Sequence, residues 1–485
     1  MLSSTFINRT RCDVAEFARI GFPLVISLAS TGFLILGDRY IVSLYSTEAM
    51  NFSALAGNLF FAVTAWLVFM AASSEYFVGQ HNGRGESHLL MKPVWQMLLL
   101  VLGFTPLICV LALLVGEWAF PVTEVGSFGR SFFYALLPLG TLSGMVTALS
   151  GFFLGQKQVW LVSVIALCTN IMNFVLDWYF VFGLKGWFAG WGPLGAAYAT
   201  DIVVLMQVIA LLLVILRQCQ KRSLPFAPAA VFEKAYLSHL VRVSLPSALG
   251  HSVEVWAHSF LVKMISVTSV VHMTTFTVVH SVYLVIFFAC EALHKTAATL
   301  AANAVGAQEY EKIRRILYAS FFFCGCIGTL ALAAFGLHGL EFTRLLLAPA
   351  EASELDTFSY AQVLQQSYWS LLLLSVFAVV DGMALTLAGV LSACGQTRVI
   401  MWGQGGMVWC LYVLPAAFVC YVWHWPPVWT FVFFTLYVSW LVAFYAWRLR
   451  GTSADEMHLV RSPSLKKGSA AGQCIKAGRK YRACS

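Results

Sequence analysis

Apolar residues run through this chain in twelve long blocks separated by short polar connections. A helix rises 1.5 Å per residue, so about 20 consecutive apolar residues cross a hydrocarbon layer. The blocks predict spans near 17–44, 52–74, 94–115, 131–154, 159–183, 194–216, 242–265, 273–300, 316–339, 366–392, 400–422 and 427–447. A membrane barrel would instead show alternating segments of about ten residues, and the chain has none of that pattern. The predicted fold class is an all-α integral membrane protein of about twelve transmembrane helices.

The two halves repeat. Gly21-Phe-Pro23-Leu-Val-Ile-Ser-Leu is echoed by Ser244-Leu-Pro246-Ser-Ala-Leu-Gly250, 223 residues later. The turn after span 2 (VGQHNGRGE, with Gly83) meets the turn after span 8 (ANAVGAQE, with Gly306) at the same offset of 223. Leu149 to Val159 (LSGFFLGQKQV) likewise parallels Leu387 to Val399 (LAGVLSACGQTRV). Two six-helix bundles of equal orientation imply a pseudo-two-fold axis along the membrane normal and a central cleft. The expected organisation is an N-terminal segment 1–16, an N-lobe 17–216, a linker 217–241 rich in charge and Pro, a C-lobe 242–447 and a tail 448–485.

Composition agrees, with 60% hydrophobic and 11% charged residues against roughly a quarter charged in soluble domains. The formal charge of +8 invites a nucleic-acid reading, but nine Lys or Arg from Arg448 onward leave the rest of the chain close to neutral. That Gly/Ser-rich, aromatic-poor tail reads as disordered and solvated, with anionic lipid head groups as its other conceivable contact. Twelve of the 30 Lys and Arg lie in the N-terminus and tail, and twelve in the connections after spans 2, 4, 6, 8 and 10. Positive charge therefore collects on one side, which places both termini in the cytoplasm and makes the span count even. The first apolar block runs on without a small-residue cleavage site, so it reads as an uncleaved span. The twelve cysteines lie mostly inside apolar blocks without zinc-ligand spacing and read as reduced, buried side chains.

An ionisable residue inside the membrane costs at least about 2.5–3.5 kcal/mol, so each one is a functional candidate. Asp38 lies toward the outer end of span 1, a heptad after Thr31, and its neighbour Arg39 raises the alternative of a structural ion pair. Successive helix residues diverge by about 100 degrees, which disfavours that pair. Span 5 carries Asn170, Asn173 and Asp177 on one stripe, either as cation or proton ligands or as an interhelical seam. Glu254, halfway along span 7, has His251 and His258 on its face at i−3 and i+4, which could form a proton relay or simply hydrogen-bond between helices. Asp381 in span 10 has no basic residue within a turn and is the strongest single candidate. Glu291 and Lys295 form an i,i+4 pair read as structural or as part of a gate. Asp201, next to Thr200, could join the Asp177 cluster. Glu75, His81 and His88 border a loop and are expected to be solvated. There is no GxxxxGK[ST], HExxH or GxSxG sequence, so an enzyme or ATP-driven pump is not expected.

Pro23 and Asp38 in span 1, Gly79-Gln80-His-Asn-Gly83, the Asn-rich span 5 leading to Leu194-Gly-Ala-Ala-Tyr-Ala-Thr200, Pro246 and Glu254, and Asp381, Gly389, Leu391 and Gly395 together resemble the multidrug and toxic compound extrusion (MATE) family. The resemblance runs from about Phe17 to Arg450 and points to the NorM-type branch. It implies cation-coupled antiport of drugs by alternating access. It also implies an N-lobe cation or proton site at Asp38, Asn173, Asp177 and Thr200, and C-lobe acids at Glu254 and Asp381. Na+ could lie at Glu254 and Asp381 or at Asp38 and Asp177. Arg39, Phe377, His251 and His258 depart from the family pattern, which leaves the coupling ion open. No cofactor is expected beyond Na+ or H+. The expected partners are membrane lipid and amphipathic or cationic small molecules, with no nucleic acid, for a monomer in the plasma (inner) membrane. The alternative is a lipid-linked oligosaccharide flippase of the same superfamily.

Overall fold

A computed structural model describes residues 4–45, 47–120, 124–184, 187–222, 224, 233–266, 269–346 and 357–452. The first half comprises α1 (Ser4–Tyr45), α2 (Thr47–Gly83), α3 (Met91–Ala119), α4 (Glu124–Ala135), α5 (Leu137–Gly155), α6 (Val159–Phe182) and α7 (Leu194–Arg222). The second comprises α8 (Lys234–Ser266), α9 (Val270–Gly306), α10 (Tyr310–Leu346), α11 (Thr357–Ala393), α12 (Thr397–Val422) and α13 (Val428–Arg450). The tail from 453 lies outside the described residues, as do residues 223 and 225–232 of the expected linker; the linker's two ends continue α7 to Arg222 and open α8 at Lys234.

Helices satisfy every backbone group within the segment, which is what a lipid environment demands. Eleven helical segments are long and apolar enough to cross a membrane. In one of them α4 and α5 share a single crossing, interrupted at Leu136 two residues before Pro138, which lacks the N–H to continue the helical ladder and sits in the first turn of α5. The twelfth crossing is α8. Its Arg242, Glu254, Lys263 and histidines lower its apolarity, yet its 33 residues extend about 50 Å. Exposed Trp160, Trp402 and Trp447 ring the end that carries the termini, and Trp118, Trp187 and Trp423 ring the other, marking two membrane interfaces.

The helix contacts repeat pair by pair. α2 packs on α5 and α9 on α11; α1 packs on α6 and α8 on α12; α5 packs on α7 and α11 on α13. Between the bundles, α1 meets α9 while α8 meets α2, and α2 meets α9. The closest approach lies on this last crossing. A Cβ placed on Gly79 would sit 2.7 Å from the Ala302 Cβ, and 302 is the repeat-equivalent of 79. One on Gly83 would sit 2.1 Å from the Asn303 carbonyl oxygen, and one on Gly306 would sit 2.3 Å from that of Gln80. Equivalent residues that touch each other reciprocally lie on a two-fold axis.

Side chains repeat the exchange. Gln80 Nε2 donates to the Ala393 carbonyl at the end of α11 (2.8 Å), and Asn303 Nδ2 donates to the Gly155 carbonyl at the end of α5 (2.9 Å). Ion pairs tie the same end together: Arg315 to Asp13, and Lys157 and Lys312 both to Glu16.

The apolar core follows the same geometry. At the end carrying the termini one continuous core runs through both bundles, from Phe17 and Phe77 to Ala302 and Cys394. Toward the other end the cores separate, into Phe60–Phe133 and Ile41–Val181 clusters in the first bundle and a Phe276–Tyr437 cluster in the second. The bundles thus join at one end and diverge at the other.

If Gly83 and Gly306 set this approach, Gly83→Ala and Gly306→Ala should each lower stability in detergent by about 1–3 kcal/mol, the usual cost of overpacking. Gly57→Ala and Gly325→Ala, where an added Cβ meets nothing within 4 Å, should leave the denaturation midpoint unchanged.

Candidate functional site

Buried acids collect in each bundle above the crossing. In the first, α1 and α6 lie side by side, and the stripe expected on span 5 faces span 1. Asn170 Nδ2 donates to Ser30 Oγ (2.8 Å) and Thr31 Oγ1 (3.3 Å). One turn on, Asn173 Nδ2 donates to Asp177 Oδ2 (2.7 Å) and reaches Asp38 Oδ1 (3.4 Å). The Asp38 and Asp177 carboxyls face one another. Asp177 is fully buried, and its Oδ1 has no hydrogen-bond partner among the described residues.

Arg39 makes no ion pair with Asp38 among the described residues, in keeping with the 100-degree step around a helix, although the two charges lie within electrostatic reach. Thr200 stays outside the cluster in the sense that its hydroxyl bonds its own helix at the Ala196 carbonyl (2.9 Å). Asp201 also keeps a buried oxygen without a partner.

In the second bundle, α12 supplies wide π turns at Met401–Gly406, Trp409–Val413 and Phe418–Val422. Such turns free backbone oxygens and gather at functional sites. The Gln404 carbonyl and Glu254 Oε1 lie 3.4 and 3.3 Å from the hydroxyl of Tyr437 on α13. Asp381 on α11 is buried, lies within electrostatic reach of Glu254 and Glu291, and keeps its Oδ2 unpartnered. Among the described residues no Lys or Arg forms an ion pair with it.

The two histidines flanking Glu254 part company. His251 stacks on Phe69 of α2 at 4.8 Å, across the bundle boundary, while His258 Nε2 lies 3.2 Å from His280 Nε2 on α9 and its Nδ1 lies 3.2 Å from the Tyr412 hydroxyl.

Near the crossing the structure corrects an expectation. Glu75 and His81 are buried, at 2% and 1% exposure, whereas His88 is exposed as expected. The span 2 helix runs on to Gly83 and carries both side chains inside, where partners satisfy them. Thr299 Oγ1 donates to Glu75 Oε1 (2.5 Å) from α9, with Lys295 within electrostatic reach, and His81 pairs with Glu86 (2.7 Å). Lys295 and Glu291 form the expected i,i+4 pair, at 3.4 Å. The cysteines are mixed: Cys290, Cys324 and Cys394 are buried, but Cys168, Cys326 and Cys410 lie on exposed helix faces.

Residues that matter here and escape a reading of acids alone are Tyr437, Gln404, Tyr412 and His280. His280 carries a usable signal, being an ionisable side chain inside an apolar span. The tyrosines carry none, since a membrane helix holds many aromatic residues. Among the described residues no group of three His, Cys, Asp or Glu side chains is placed to hold a metal ion. Na+ at either acid pair would therefore draw on carbonyl, amide or hydroxyl oxygens such as those of Asn173 or Gln404.

Twelve crossings in two symmetric bundles, joined at one end with buried carboxyls in each, define a two-lobed membrane transporter fold. More narrowly, it is the fold of MATE transporters. The eukaryotic MATE transporter AtDTX14 superposes with a TM-score of 0.80 at 18% identity, over 92% of this chain and 98% of that one. A mutant of the Vibrio cholerae MATE transporter VcmN gives 0.78 at 14% identity, over 92% and 99%. A MOP superfamily transporter from Pyrococcus furiosus, whose reversed binding-pocket polarity suggests a different function, gives 0.78 at 15% identity, over 90% and 96%. No protein-family profile and no curated protein matches the sequence.

The role of Asn173 as the amide that holds Asp177 is testable through stability. Asn173→Ala should cost about 1–3 kcal/mol in a detergent denaturation series, the penalty for a buried polar group losing its partner. Asp177→Asn, which presents an amide of equal size and needs no proton, should stay within about 0.5 kcal/mol of the unmodified protein.

Proposed function

We propose that the chain is a secondary active exporter of amphipathic or cationic small molecules, exchanging them for Na+ or H+ by alternating access. The observation that carries this reading is the pair of buried acid clusters, one in each lobe, above a single joined end. Asp177 Oδ1 and Asp381 Oδ2 are buried and unpartnered. Buried carboxyl oxygens of that kind are satisfied by a proton or a cation. Binding there changes the charge between lobes that touch mainly at one end, which is how an ion can bias a rocking equilibrium.

In the proposed cycle, outward-facing lobes take up an ion at Asp38–Asp177 or at Glu254–Asp381. Neutralising the acids removes the anionic partner of a cationic substrate and favours its release outward. Each net charge carried inward is worth about 2.3 kcal/mol per 100 mV, enough to hold roughly a fiftyfold gradient of a neutral substrate, whereas a monovalent cation exchanged one for one draws on the ion gradient alone. In this reading the joined end and both termini face the cytoplasm, which the asymmetry of positive charge supports, and the membrane is the plasma (inner) membrane. Transport of this kind needs no prosthetic group and a single chain suffices.

One observation favours the second reading, a lipid-linked oligosaccharide flippase. Arg39, half-buried on α1 and within electrostatic reach of His280 on the other lobe, adds positive charge that could meet a phosphate. The acids outnumber it.

The experiment is efflux of an amphipathic cationic dye from proteoliposomes under Na+ and H+ gradients imposed separately. Gradient-driven efflux, reduced tenfold or more (~10-fold) in Asp38→Asn or Asp381→Asn, is the expected result. Dye that redistributes equally under every gradient would remove the antiport reading and favour the flippase.

A further inference from the structure

The His258–His280 pair is not used by the cycle above. Both side chains are half-buried, one on α8 and one on α9, their Nε2 atoms 3.2 Å apart. His258 lies four residues beyond Glu254 toward the divergent end, about 6 Å along the helix axis. Its Nδ1 meets the hydroxyl of Tyr412, which is fully buried on α12 and stacks at 6.3 Å on Tyr437, the donor to Glu254. Tyr412 lies within electrostatic reach of Glu254 itself. Phe276 and Phe434 flank the histidine rings. The result is a file of exchangeable groups in an apolar sleeve: His280, His258, Tyr412, Tyr437, Glu254.

We propose that this file is the proton entry of the C-terminal lobe, delivering protons from the divergent end to Glu254 and Asp381, so that this lobe uses H+ rather than Na+. The proposal rests on the exporter reading and names its ion and its route. Imidazole suits the task because it can take a proton at one nitrogen and release another from the second. Protonated His280 passes the proton on its Nε2 to the Nε2 of neutral His258. His258 then gives up the proton on its Nδ1 to the Tyr412 oxygen, the Tyr412 hydroxyl proton moves on to the Tyr437 oxygen, and the Tyr437 hydroxyl proton passes to the Glu254 Oε1 that it faces. One proton enters, one leaves, and the histidines end neutral. The charged and titratable groups that face the file are Arg39 on α1, Glu254 on α8, Tyr283 on α9, Asp381 on α11, Tyr412 on α12 and Tyr437 on α13. Arg39 is the one on the opposite lobe. Its positive charge opposes a second one on the pair, so proton occupancy changes with the distance between lobes.

The test uses the full chain in proteoliposomes, with His258→Gln and His280→Gln, and reads two quantities. H+-driven dye transport should fall about tenfold or more in both variants and lose its pH dependence. Dye-for-dye exchange at equal pH, which needs no net proton movement, should keep its rate. Unchanged H+-driven transport in both variants overturns the relay, as does loss of both activities together, which would mark a structural role. Histidine C2–H exchange read by mass spectrometry tests the pair without any transport. His258 should titrate differently once His280 is Gln, and an identical titration overturns the coupling. If the unmodified protein moves no dye under any gradient, the exporter reading fails, and the exchange measurement still decides whether the pair shares a proton.

Discussion

Everything in this protein hangs on how closely two helices approach at one point. α2 and α9 cross where Gly79 meets Ala302, and where Gly83 and Gly306 lie against the Asn303 and Gln80 carbonyls. No side chain fits there. Small residues at a helix crossing let backbones touch, which is how helices associate in lipid, where apolar burial between them gains little. The crossing sits on the pseudo-two-fold axis, so every device around it is doubled: Gln80 to α11, Asn303 to α5.

That constraint fixes where the charges can go. The shared core and the ion pairs of Asp13 and Glu16 close one end. Glu75 and Thr299 lie buried close above the crossing, bridging α2 and α9, with the half-buried Lys295 and Glu291 beside them. Farther up, where the lobes have separate cores, each holds its own acids: Asp38 and Asp177 between α1 and α6, Glu254 and Asp381 among α8, α11, α12 and α13. Charge added or removed at those acids acts at a distance from the joined end. In the proposed cycle, small changes there become changes in the angle between lobes, as packed interfaces switch rather than bend.

Much of this was legible in the sequence. The apolar blocks locate all twelve crossings, α8 included despite its polar residues, and Pro246 in α8 repeats Pro23 in α1. The 223-residue offset contained the two-fold axis in full, since it pairs 79 with 302 and 83 with 306. The i,i+3,i+4 stripe of Asn170, Asn173 and Asp177 correctly chose its face. Depth was harder to read: Glu75 and His81 border a polar turn in sequence, but their helix carries them into the crossing. Partners from distant helices were beyond reach. Nothing in the chain distinguishes Tyr437 or Tyr412 from the many other aromatics, and the π turns of α12, which lie against α8 and α13 and bring the Gln404 carbonyl to Tyr437, have no sequence signal. His251 and His258 share a helix face, yet an adjacent lobe claims one and α9 the other.

The most direct test of the proposed cycle, in which the joined end opens as the lobes rock, is to fasten that end. Asp13 and Arg315 join α1 to α10 across it. With the twelve native cysteines replaced, Asp13→Cys and Arg315→Cys can be bridged by a short, reducible bifunctional thiol reagent in proteoliposomes. The account predicts that bridging abolishes dye transport and that reduction restores it. Full transport by the bridged protein would contradict it, because the joined end would then have no need to open.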